Sequence, residues 1–187
     1  MKSIYILLTK SDTVVSKAIH LVTADQYSHV SISFDKTLQP LYSFSRKYIY
    51  LPLPAGICHE PLSEGFYKKY HYIPCALYEL KVEDEIYNTA KQIAENMLKE
   101  SQAYKFNVLG LILCKFNIPY DRKNYYFCSE FVSEVLLKSQ ALYLPKLPCL
   151  MRPADYANIA ILECVFKGRL EQLINQLKFN YSFLEVS

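Results

Sequence analysis

The segment His29 to Phe34 carries the clearest strand pattern in the chain. Val30, Ile32 and Phe34 fall on one face and His29, Ser31 and Ser33 on the other, the two-residue period of a half-buried strand. Asp35 to Pro40 is rich in turn formers and Leu41 to Ser45 returns as a second strand. Parity in that hairpin sets Ser43 and Ser45 on the face of His29. Upstream, Ile4 to Leu8 reads as a short buried strand. A helix follows it that Ser11 or Asp12 could cap, with Val14, Val15, Ala18, Ile19 and Val22 along one side.

From Leu51 to Pro74 the prolines and glycines predict a long loop, able to act as a lid and carrying His59 and His71 as rival bases. Cys75 to Val82 is a strand. Asp84 to Glu100 is an amphipathic helix with Ile86, Ala90, Ile93, Ala94, Met97 and Leu98 on one face. Phe106 to Leu113 is apolar enough to read as a buried helix, and Asn117 to Asn124 connects it to a helix over Cys128 to Lys138. In that helix Phe131, Val132, Val135 and Leu136 stand at i+3, i+4, i+7 and i+8 from Cys128, so the cysteine shares their inward face. Pro145, Pro148 and Pro153 keep Leu144 to Pro153 extended. A helical turn over Ala154 to Ile159, a strand over Ile161 to Phe166 and a helix over Arg169 to Leu177 complete the chain. No repeat or compositional break divides residues 1–187 into more than one domain.

Composition narrows the classes. With 51% hydrophobic and 21% charged residues, the chain is a folding one. Its net charge is +3, with no basic run longer than Lys68-Lys69, which argues against nucleic acid as a partner. The six cysteines form no CxxC pair and no metal-type spacing, so no metal or other cofactor is expected. The apolar run Ile4 to Leu8 is too short for an export signal, and Val108 to Cys114 is far below the roughly 20 residues of a membrane span. The expected location is cytoplasmic, with no transmembrane segment and peripheral membrane contact left open.

Cys128 is where chemistry concentrates. At a helix tip, unpaired backbone N–H groups and the dipole favour a thiolate. A nucleophilic cysteine also needs an imidazole and a group to orient it. His29, first on the polar face of its strand, is the best candidate base, and Ser43 is the orienting group chosen by parity. Ser129 reads as a capping residue and Glu130 as serving the helix terminus. A cysteine among apolar residues is also what a small buried hydrophobe looks like, and a strand histidine can be structural; residue chemistry leaves both readings open.

Two segments change that balance. Asp25-Gln26-Tyr27-Ser28-His29-Val30, followed in that order by Tyr126-Phe127-Cys128-Ser129-Glu130-Phe131-Val132, resembles the paired signature of the permuted papain-like cysteine hydrolases of the NlpC superfamily, YaeF/YiiX type. Leu7 to Lys10, Ser16 to Ile19 and Arg152-Pro153-Ala154-Asp155-Tyr156 are similar to that family as well. The resemblance implies a circularly permuted papain-like α+β fold with an antiparallel sheet packed against helices, His29 as base and Cys128 as nucleophile. The family's third residue stands on the strand after the histidine strand and is often a carboxylate; the matching position here is Ser43. The expected activity is a cysteine peptidase or amidohydrolase, acting through a thioester on an amide or ester of a peptide-like or acylated small substrate. Acyl transfer on lipids, or weakly catalytic binding of peptide or lipid by the same fold, are the alternatives.

Overall fold

The centre of the molecule is β1 (Lys2–Thr9), a strand apolar on both sides. Ile4, Ile6 and Leu8 point to one face and Leu7 to the other, and all four are fully buried, which requires partners above and below. In the computed structural model, which describes residues 1–10, 25–46 and 55–184, these partners are two layers of helices around one sheet. The predicted helix over residues 11–24 lies outside the described residues.

After β1 come β2 (His29–Ser33), β3 (Leu41–Arg46), β4 (Ala55–His59), α1 (Gly65–Lys69) and β5 (Pro74–Val82). They are followed by α2 (Asp84–Lys99), β6 (Lys105–Phe106), α3 (Val108–Lys115), β7 (Tyr125–Tyr126) and α4 (Cys128–Lys138), then β8 (Glu163–Arg169) and α5 (Leu170–Leu184). Six strands form one sheet in the order β4-β3-β2-β1-β5-β8, with every neighbouring pair antiparallel. β6 and β7 make a separate short parallel pair. The fold is α+β.

The alternation read in the hairpin decides what packs where. Val30, Ile32, Phe34, Tyr42 and Phe44 join the larger core, with Ala90, Ala94 and Met97 of α2 and Phe131, Val132, Val135 and Leu136 of α4. Each of these α4 side chains is completely buried, worth about 1.5–3 kcal/mol apiece relative to exposure. On the other face Leu7, Leu41, Cys75 and Leu77 pack with Tyr67 of α1 and with Leu170 and Leu173 of α5.

Four expectations need correction. The stretch from Leu51 to Pro74 is not all loop: it contains β4, which extends the sheet edge beside β3, and the single-turn helix α1. Its prolines flank these elements, and Pro74 takes the first position of β5, where a strand tolerates it. The apolar stretch Phe106 to Leu113 is not a buried helix, because Val108, Leu109 and Ile112 of α3 are about half exposed. Leu144 to Pro153 is interrupted by a 3-10 turn at Pro148–Leu150. The last strand and helix sit later than expected, and α5 runs on to Leu184.

The connection after α4 folds back to brace its first turn. A 3-10 turn over Pro153–Asn158 places Tyr156, fully buried, so that its hydroxyl donates to the Ser129 carbonyl at 3.1 Å and pairs with Ser133 Oγ at 2.7 Å. Replacing Tyr156 by Phe leaves a buried carbonyl and a buried hydroxyl short of a partner. The variant should lose about 1–3 kcal/mol, measured by denaturant unfolding; a loss within error would show that the hydroxyl does not hold the turn.

Candidate active site

The polar faces of three adjacent strands meet at one end of the sheet. Ser31 of β2, Ser43 and Ser45 of β3 and Cys58 of β4 all point away from the larger core, as does Glu60, the first residue past β4. The strand pairing continues through Glu60, whose N–H donates to the Leu41 carbonyl at 2.8 Å. This register sets its carboxylate beside His29: both carboxylate oxygens lie 3.0 Å from Nε2. The His29 and Glu60 side chains are only 16% and 13% exposed, so the pair is shielded from water.

The carboxylate has further donors. Ser31 Oγ donates to Glu60 Oε2 at 2.5 Å, and the hydroxyl of Tyr67, delivered by α1, donates to the same oxygen at 3.3 Å. Burial alone would raise the Glu60 pKa, but the neighbouring imidazolium and the Ser31 and Ser45 hydroxyls hold it below its ordinary 4.5. His29 responds in the opposite sense. Burial disfavours its charged form, yet the Glu60 carboxylate and the Cys128 sulfur together hold the imidazole well above its ordinary 6.5. Ser43 Oγ stands 3.2 Å from the same Nε2, but its proton is directed to the Val30 carbonyl at 2.8 Å.

Cys128 reaches this group from the other layer. Phe127, extended, is the N-cap of α4, and Cys128 is the first helical residue. Because His29 opens β2 and α4 packs across β2 and β3, the helix tip arrives at the strand end, with the sulfur within hydrogen-bond reach of the imidazole. With Nε2 committed to Glu60, Nδ1 is the ring nitrogen left for the thiol. Cys128 is 9% exposed and opens on a pocket lined by Tyr27, Leu111, Lys115, Ser129 and Arg152. No family model and no curated protein matches the chain.

Around the helix tip the residues take specific tasks. Glu130 turns back to accept the Phe127 backbone N–H, and Asn107 Nδ2 donates to it at 3.3 Å, in keeping with service to the helix terminus. Burial pushes the Glu130 carboxyl up to about 8, so at neutral pH it is mainly the neutral acid. Ser129 is not a cap: among the described residues its buried hydroxyl has no hydrogen-bond partner, and it borders the pocket. Arg152 pairs with Asp25 at 3.4 Å and its backbone N–H donates to Asp155 at 2.8 Å. These contacts tie the segments before His29 and before Tyr156 to one wall of the pocket.

The structure thus brings together His29, Cys128 and Ser43, and adds Glu60, which sequence reasoning missed. Its signal was faint: a lone carboxylate just after a short strand, inside a stretch whose prolines read as loop. The rival histidines lie elsewhere. His59, one residue before Glu60 and on the opposite face, is exposed and packs edge-on against Tyr42; the Nδ1–H of His71 donates to the Lys68 carbonyl at 3.0 Å. Among the described residues no group of three or more His, Cys, Asp or Glu side chains could hold a metal.

Opposite shifts in one buried pair define a pH window. The His29 contribution to stability is complete below about 6.5 and is lost as pH rises through its raised folded-state value. The Glu60 contribution is present above 4.5 and is lost as pH falls through its lowered one. Glu60→Gln should therefore cost most, about 3 kcal/mol, between those limits and progressively less on either side. Chemical denaturation across pH measures this; a penalty that does not vary with pH would mean that the two groups are not an ion pair.

Proposed function

We propose that the protein is a cysteine hydrolase of the permuted papain-like type, cleaving an amide or ester through a thioester. The observation that carries this reading is the continuous line from a buried carboxylate through an imidazole to a helix-tip thiol. Glu60 orients His29 and stabilises its imidazolium form beside the Cys128 sulfur. The resemblance of the His29 and Cys128 segments to the NlpC superfamily agrees with that assignment of base and nucleophile, and along the chain β2, which carries His29, precedes α4, which carries Cys128.

In the first half-reaction Cys128 Sγ adds to the substrate carbonyl carbon, and the carbonyl electrons move to oxygen within reach of the Cys128 backbone N–H. The intermediate collapses to a thioester as His29 gives its proton to the leaving amine or alkoxide. In the second, His29 takes a proton from water, hydroxide adds to the thioester, and the acid leaves as sulfur departs to recover the thiolate–imidazolium pair. No resident cofactor enters these steps. Glu60, rather than Ser43, is the group that keeps the imidazole in register, which answers the need for a carboxylate that a serine leaves unmet. A substrate alcohol or amine in place of water would make the same thioester an acyl donor, and product identity separates the two outcomes.

Cysteine reactivity tests the reading without knowledge of the substrate. Burial pushes the Cys75 and Cys114 thiols up to about 12, and Cys164 is exposed, so these serve as internal references. With limiting iodoacetamide near pH 6, Cys128 should be labelled at least about tenfold faster than Cys164, and His29→Ala should remove most of that advantage. Glu60→Gln should slow labelling about tenfold, while Ser43→Ala should change it little. Labelling of Cys128 no faster than Cys164, or insensitive to His29→Ala, would overturn the assignment.

A further inference from the structure

α3 displays what a folded chain normally hides. Val108, Leu109 and Ile112, with Phe116 and Ile118 just beyond the helix, are each between 46% and 61% exposed. Val108, Ile112 and Phe116 succeed one another at four-residue intervals, so they form one ridge with Leu109 beside it. The inward side of the helix carries Gly110 and Cys114, both buried, and Leu111 at the Cys128 pocket. Contiguous exposed apolar surface of this kind marks a site of association.

The charge around the ridge indicates what it meets. Pairing of β6 with β7 closes the segment that carries α3 at its base, and brings Lys105 alongside Asn124 and Tyr125. The segment from Lys105 to Lys123 that carries the ridge holds Lys105, Lys115, Arg122 and Lys123 against the single acid Asp121. A second copy docked face to face would set these cations against their own equivalents, which is unfavourable in a symmetric contact. An anionic lipid surface satisfies both parts, taking the aliphatic and phenyl groups below its headgroups and the cations at them. Eight residues of helix are too few to cross a bilayer but enough to lie in its interface.

We infer that α3 and Phe116 dock the protein on anionic membrane surfaces, setting the Cys128 pocket, to which α3 contributes Leu111 and Lys115, at the edge of the lipid. Docking depends on surface chemistry alone and can be read whether or not Cys128 is a nucleophile. The full chain should cosediment with vesicles of phosphatidylcholine containing about one-third phosphatidylserine, and at least about tenfold less with pure phosphatidylcholine or at high salt. The double variant Leu109→Asp, Ile112→Asp should lose this binding while keeping its unfolding midpoint and its Cys128 alkylation rate. Because the chain lacks tryptophan, Ile112→Trp supplies a single tryptophan whose emission, excited selectively at roughly 295 nm, should shift to the blue on docking. Three results would each overturn the inference: no cosedimentation of the wild type, binding that survives the double variant, or a concentration-dependent dimer lost in that variant without any vesicle binding.

Discussion

A carboxylate and an imidazole 3.0 Å apart and largely shielded from water impose the strongest constraint in this molecule. Two such groups are tolerable there only if each keeps its charge partner and its remaining hydrogen bonds. The sheet supplies them by a local change of residue type. The face that carries Leu7, Leu41 and Leu77 elsewhere carries Ser31, Ser43 and Ser45 where β2, β3 and β4 run together. α1, a single turn between two strands, acquires a reason for its position: it lowers Tyr67 onto the Glu60 carboxylate.

The opposite layer has the complementary task of holding a small side chain still. α4 is buried along most of its length, so its tip cannot drift relative to β2 and β3. Tyr156 secures the first turn from one side, and Glu130 with Asn107 secures it from another. That the Glu130 carboxyl is mainly neutral near pH 7 matters for the electrostatics. A second carboxylate charge beside the helix tip would compete with Glu60 for the imidazolium and repel a thiolate.

What the sequence made legible follows physical range. The hairpin parity, the inward face of α4 and the placement of His29, Cys128 and Ser43 all rest on local periodicity, and the described structure has each of them. Glu60 was hidden because its role depends on β4 adding to the sheet edge, a long-range pairing that Pro52, Pro54 and Gly56 obscure in the local pattern. Ser43 has the parity of His29 and does stand at the imidazole; parity along one hairpin does not show that the next strand brings a charged group to the same nitrogen. The exposure of α3 is hidden for a different reason. Its residues are apolar nearly all round, so no face is marked, and hydropathy assigns the same value to a helix in a core and to one on a surface.

What fixes the orientation of α3 is a polar residue rather than an apolar one. Asn107 caps the helix by accepting the Gly110 N–H at 2.9 Å, and the same side-chain amide donates to Glu130 in the first turn of α4. A Cβ at position 110 would lie 2.2 Å from Asn107 Nδ2, so glycine is needed there for the amide to fit between the two helices. One buried amide therefore sets both the outward ridge of α3 and the turn that begins at Cys128. The apolar surface and the thiol are mechanically joined through a hydrogen-bonded contact of neutral groups, and the pocket between them is walled by both helices.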